Sequence, residues 1–135
     1  MKRFTLLLFG LLAFYSCLNN DKDELNYSFD YLPIDEAITP ASFTYGQIDT
    51  ITVKYSLPNG CYHFNEIYYE TIDTTRIVAI SAFVELNSHC TLAIIQEEKK
   101  IPVKASQVED YVFKFYKGKD SNGENIFEEV VVPVN

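Results

Sequence analysis

Ile48-Asp49-Thr50-Ile51-Thr52-Val53-Lys54-Tyr55-Ser56-Leu57, followed at once by Pro58-Asn59-Gly60-Cys61, is the stretch that decides the fold. Ile51, Val53, Tyr55 and Leu57 fall on one face, and Thr50, Thr52, Lys54 and Ser56 on the other. That period-two alternation belongs to a strand with one face in a core. Pro58 fixes φ, Asn59 tolerates a left-handed backbone and Gly60 adds freedom, so the strand ends in a turn. Cys61 restarts the chain, and similar alternation recurs downstream.

Residues 63–72 are aromatic and β-branched, and Asp73-Thr74-Thr75 forms a turn. Residues 76–86 carry Val78, Ile80, Ala82, Val84 and Leu86 on one face with Ile77, Ala79 and Phe83 on the other. A strand apolar on both faces lies centrally or is covered twice. Asn87-Ser88-His89 turns again, residues 91–96 read as strand, Glu97-Glu98-Lys99-Lys100 as a solvated loop and residues 101–104 as a brief pairing. Residues 111–116 place Tyr111, Phe113 and Phe115 inward. Residues 118–125 form a hairpin loop, and residues 126–134 return as the last strand. Upstream, Leu32-Pro33 and Thr39-Pro40 interrupt the chain, leaving residues 41–45 as a short edge strand. No stretch combines helical periodicity with caps. About seven to eight short strands at this spacing predict an all-β, antiparallel sandwich.

Ser106-Gln107-Val108-Glu109-Asp110-Tyr111, with Phe113 two positions on, resembles the tyrosine corner of immunoglobulin-like domains. The resemblance implies an immunoglobulin-like β-sandwich. Antibody domains carry Cys where Phe113 stands and a buried Trp in the facing sheet, whereas this chain has no Trp. The likeness is therefore to fibronectin-III-like or bacterial Ig-like relatives, and it carries a fold without a function.

Met1-Lys2-Arg3 is basic, and residues 4–15 form an apolar run shorter than the roughly 20 residues that span a bilayer. Ala13-Phe14-Tyr15-Ser16-Cys17 resembles the lipobox of bacterial lipoproteins, with Phe14 where that family more often has an aliphatic residue. The resemblance implies a signal peptide over residues 1–16 and acylation of Cys17 by chains such as palmitate. Two or more acyl chains anchor a protein stably. Residues 17–36 are expected to be a lipidated tether and residues 37–135 the sandwich. Asp21-Lys22-Asp23-Glu24 makes the tether acidic, and it resembles the export signal of surface-exposed lipoproteins in some Gram-negative bacteria. Leu18 stands where the familiar retention rule has Asp. A lipid-anchored position in the outer membrane, on the cell surface, is expected.

The chain carries a net charge of −8, and loss of Lys2 and Arg3 with the signal leaves about −10. Beyond Lys99-Lys100 there is no cluster of basic residues. A nucleic-acid partner needs a basic face, so none is expected.

Once Cys17 is assigned to lipid, Cys61 and Cys90 remain as a pair in an oxidising compartment. In a meander both would reach the same end of the domain, yet alternate strands of one sheet lie about 9.5 Å apart and a disulfide needs Cα atoms within roughly 7 Å. A bridge therefore requires the chain after Cys90 to cross to the other sheet. The competing reading is a zinc site, since Cys61-x-His63 and His89-Cys90 offer two thiols and two imidazoles. Neighbouring strand residues point to opposite faces, so His89 and Cys90 could chelate together only from a turn. The disulfide is expected, with no metal and no cofactor.

Asp120-x-Asn122-Gly123-x-Asn125 has the composition of a calcium loop, but the glycine is at the fourth place and Val131 is at the twelfth. A hairpin turn is expected. Ser81 has no nucleophile elbow around it, and no enzyme activity is expected. Asp49-Thr50-Ile51 and Asp73-Thr74-Thr75 resemble O-glycosylation acceptors of some gut and oral bacteria, which makes Thr50 and Thr74 candidates, with Thr74 the more accessible. The expected function is a non-catalytic surface module for adhesion, ligand binding or envelope support, with a glycan or a protein as its partner. Tyr62, Tyr68 and Tyr69, placed beside the bridged end, are the candidate contacts, because tyrosine offers contact area at low entropy cost. The alternative is an Ig-like protease inhibitor that presents residues 57–61, stiffened by Pro58 and the bridge.

Overall fold

The computed structural model describes residues 26–135. The expected signal peptide, Cys17 and the first part of the expected tether lie outside the described residues. Eight strands follow in order: β1 (Tyr27–Leu32), β2 (Ile34–Ile38), β3 (Ile48–Leu57), β4 (Tyr62–Ile72), β5 (Thr75–Glu85), β6 (Ile95–Lys104), β7 (Tyr111–Lys119) and β8 (Asn125–Val132). They form a two-sheet sandwich. One sheet has five strands, with β5 bordered by β4 on one side and by β1 and β7 on the other, and β8 outside β7; the second runs β2-β3-β6.

The deciding stretch behaves as its alternation requires. Ile51, Val53, Tyr55 and Leu57 are all buried, while the residues between them reach the surface. From the opposite sheet they meet Val78, Ile80, Ala82, Tyr111, Phe113 and Phe115. β5 is central, as its two apolar faces demand, and Ala79 and Ser81 are buried on the side away from the core. Tyr111 builds the corner that its sequence context implies: the Ser106 N–H donates to its hydroxyl at 3.0 Å, and the hydroxyl reaches the Lys104 carbonyl at 3.4 Å.

Several local expectations change. Residues 27–36, read as tether, contain β1 and the start of β2. Pro33 sits where the chain leaves the sheet of β5 for the sheet of β3. Residues 41–45 make no strand beyond a single bridge from Phe43 to Val134. Residues 91–94 are irregular, and Glu97-Glu98-Lys99-Lys100, read as a loop, lies within β6 opposite residues 52–55 of β3. β6 is the edge of its sheet, where charged side chains are the usual guard against pairing with another chain. One ladder is parallel, between residues 75–78 of β5 and 112–115 of β7; the remaining strand pairs are antiparallel.

Candidate functional site

The outer face of the five-stranded sheet is unusually aromatic. In β1, Tyr27, Phe29 and Tyr31 alternate with Ser28, Asp30 and Leu32, and their partners on β5 are Glu85, Phe83 and Ser81. Leu32 pairs with the core residue Ile80, so the three aromatic rings point away from the core. On β4, Tyr68 lies opposite Ala79 and shares this outward side. Tyr116 and Phe127 face each other across β7 and β8 on the same side.

These rings touch in sequence. Tyr31 meets Tyr68 edge-on with centroids 5.7 Å apart and Tyr116 at 6.4 Å, and Tyr116 meets Phe127 at 6.0 Å. Tyr27 contacts Phe29 and Phe83, and His63 stacks on Phe83 at 4.8 Å. In each edge-to-face contact the edge of one ring rests on the face of the other, which fixes ring orientation. Between the rings runs a groove of about 420 Å³, lined by Tyr31, Tyr68, Tyr116 and Phe127, floored by Ile77 and Ala79, and rimmed by Asp30, Glu70, Lys119 and Asn125. The small Ala79 opens the floor. Tyr116 is buried beneath its neighbours, and burial, with the nearby Asp30 carboxylate, pushes its hydroxyl pKa up. The Tyr68 hydroxyl donates to Glu70 Oε2 at 2.7 Å, and that bond raises its pKa as well. Both phenols therefore stay protonated at neutral pH and can donate or accept.

The three tyrosines singled out from the sequence do not share a surface. Tyr68 enters the groove, whereas Tyr62 and Tyr69 lie on the opposite face of β4, opposite the inward Val84 and Val78. Tyr62 packs against the core. Tyr69 lines a second depression with Arg76, Lys104 and Tyr111, and burial raises its pKa. Tyr68 and Tyr69 also lie well along β4 from Cys61, not beside the bridge. Tyr31, Tyr116 and Phe127 were missed. The signal for Tyr31 was Tyr27-x-Phe29-x-Tyr31, an alternation as regular as that of β3.

Cys61 and Cys90 form a disulfide with Cα atoms 5.3 Å apart and a sequence separation of 29. The geometric requirement is met as expected, because β6 follows Cys90 into the other sheet. Around the bridge, the Gly60 N–H donates to the Thr91 carbonyl at 2.9 Å and the Glu85 N–H to the Cys61 carbonyl at 3.0 Å. A Cβ on Gly60 would lie 2.6 Å from Thr91 Oγ1 and 3.2 Å from the Thr91 backbone nitrogen, so a larger residue here would require the Thr91 side chain to turn away. The four-ligand zinc set is not assembled. Both sulfurs are bonded to each other, and His63 Nε2 pairs with Glu85 Oε1 at 3.0 Å. Among the described residues no group of three or more His, Cys, Asp or Glu is arranged to hold a metal ion.

The other candidates are placed as follows. Asp120 Oδ1 accepts from the N–H groups of Asn122 and Glu124, and Gly123 takes a positive φ of 82°, the hairpin turn expected there. Ser81 is buried and accepts from Asn65 at 3.2 Å. Thr50 is exposed on β3, whereas Thr74 is half-buried in a tight turn whose carbonyl accepts from Val112, so the expected order of accessibility is reversed.

Arg76 was not singled out, and it is the buried charge of the domain. Its guanidinium donates to the carbonyls of Asp73 and Thr75 and to Gln107 Oε1 at 2.7 Å, and it lies 4.7 Å from the Tyr111 ring centre. Burial pushes the Tyr111 hydroxyl pKa up, but the bond from Ser106 and the Arg76 charge outweigh burial and leave it lowered.

No curated protein matches the chain, and no solved structure does. A family model does match, over residues 51–132, from within β3 to the end of β8 and across more than half of the chain. The chain belongs to the ORF11 beta-sandwich domain family.

Proposed function

We propose that this protein is a non-catalytic binding module, anchored in the outer membrane through lipid on Cys17 and displayed at the cell surface, which recognises a glycan on the outer face of its five-stranded sheet. The observation that carries the reading is the groove between Tyr31, Tyr68, Tyr116 and Phe127. A sugar ring has apolar C–H faces and a hydroxyl edge. Aromatic walls suit the first, and Asp30, Glu70, Lys119 and Asn125 on the rim suit the second, since binding sites pair an apolar lining with a few placed polar groups. Tyr31 is 49% exposed and Phe127 37% exposed, so ligand contact would cover apolar surface now in water.

The anchor rests on the lipobox resemblance at Cys17, and surface display on the acidic stretch behind it. The acidic balance of the chain argues against nucleic acid as the ligand.

The test is a glycan array probed with the wild-type domain and with Tyr31→Ala and Phe127→Ala. Loss of one aromatic wall should weaken a genuine hit by about tenfold, equivalent to roughly 1.4 kcal/mol. Hits that persist unchanged in both variants would exclude this face. An array without hits, together with capture of a protein that depends on Tyr31, would reassign the ligand from sugar to protein.

A further inference from the structure

The end of the domain that carries the disulfide holds Leu92, the most exposed large hydrophobic side chain among the described residues. Between β5 and β6 the chain runs through residues 86–94 without strand structure. Leu86 is 53% exposed, Leu92 91% and Ile94 70%. These side chains are held out on a stapled segment: Cys90 is bonded to Cys61, and Thr91 accepts from the Gly60 N–H. No Asp or Glu occurs from residue 86 to residue 95 or from 56 to 64, although the chain has 19 acidic residues. The opposite end, where Val112 bonds Thr74, also exposes Ile48, Ile72 and Val108, but each is followed in the sequence by a carboxylate, Asp49, Asp73 and Glu109.

The described chain begins at this same end. The Leu86 N–H donates to the Asn26 carbonyl at 2.8 Å, and Tyr27 pairs with Glu85. From Cys17 to Asn26 the chain can span no more than about 32 Å even fully extended. A lipid on Cys17 therefore tethers the domain by the end that carries the apolar loop.

We propose that residues 86–95 form a membrane-contacting loop, with Leu92 and Ile94 entering the interfacial layer of the bilayer that holds the anchor. The inference rests on the lipid-anchor reading. The negative domain is repelled by an anionic surface, and residues 86–95 carry no carboxylate of their own. Exposed aliphatic side chains on a loop that cannot collapse find their burial in the lipid. The disulfide keeps the loop formed, so little conformational entropy is lost on insertion. Contact would leave the aromatic face to the side, free for ligand.

The chain has no tryptophan, so a single introduced indole reports its own surroundings. Full-length acylated protein carrying Leu92→Trp is reconstituted in phosphatidylcholine vesicles, with Val108→Trp, at the acidic end, as the comparison. Intact mass establishes the acyl chains independently of fluorescence. The expected result is a blue-shifted emission for Leu92→Trp, quenched by bromine-labelled lipid and shielded from acrylamide, with Val108→Trp unshifted and accessible. Acylated protein whose Leu92→Trp indole stays accessible would overturn the membrane contact while leaving the anchor intact. A mass without acyl chains would overturn the anchor and this inference with it. A shift seen in native envelope membranes but not in pure lipid would reassign the loop to a protein partner and equally overturn the proposal.

Discussion

At the scale of single residues, Arg76 is where the sequence was least informative and the consequence is largest. A lone arginine at the start of a strand reads as a surface charge. Here it ties the turn at Asp73 to the corner at Gln107, through carbonyls and an amide instead of a carboxylate. Arg76→Ala should therefore lower unfolding stability by about 3 kcal/mol, because several charge-assisted bonds go and the Gln107 oxygen loses its donor. Urea denaturation measures this, and a loss within about 0.5 kcal/mol, as for an ordinary surface site, would contradict it. Glu85 gives a pH signature. The Ser88 hydroxyl at 2.5 Å and, after it, His63 hold its carboxyl below the ordinary value of 4.5, outweighing partial desolvation. A depressed carboxylate contributes stability that is present above the unfolded pKa and is lost as pH falls through the native one. Thermal unfolding in a descending pH series should show wild type losing stability below pH 4.5 more steeply than Glu85→Gln. Parallel curves would show that Glu85 contributes nothing.

At the scale of elements, the strands with a single buried face were legible and the strands with unusual partners were not. β3 and β7 alternate cleanly, and Ile51, Val53, Tyr111, Phe113 and Phe115 are buried as that alternation requires. β1 was hidden because its larger side chains face out, so its regular aromatic pattern lacked the usual apolar-in meaning. β6 was hidden because its charges belong to an edge, where Tyr55 donates to Glu97 and Lys99 sits over the Phe64 ring at 4.1 Å. The groove needed five strands, and no local pattern reveals which strands become neighbours. Two elements yield predictions. Tyr111→Phe keeps the ring and removes the hydroxyl that Ser106 bonds, so stability should fall by about 1–2 kcal/mol in chemical denaturation. No change would show that water replaces the bond. The staple closing a separation of 29 residues should contribute about 3–4 kcal/mol in the chain-entropy account. Cys61→Ser should lower Tm by on the order of 10 °C, and EDTA should leave wild type unaffected. Two reactive thiols in protein taken straight from the envelope would refute the staple.

At the scale of the whole molecule, three surfaces are distinct. The bridged end with Leu92 and Ile94 lies where the tether arrives, the acidic turn end lies away from it, and the aromatic face runs along the side. With the proposed anchor on Cys17, that placement would hold the bridged end toward the bilayer and leave the groove open to a ligand. The inhibitor alternative would use residues 57–61 at the bridged end instead, the end this account assigns to the membrane. The two readings therefore predict contact at different places on the same molecule. The most direct measurement is an amide chemical-shift map of the isotope-labelled protein titrated with a glycan that binds it. Shifts concentrated at Tyr31, Tyr68, Ala79, Tyr116 and Phe127 are expected, with residues 57–61 unmoved. Shifts confined to residues 57–61 and the segment around Cys90, with the aromatic face silent, would contradict the proposed site.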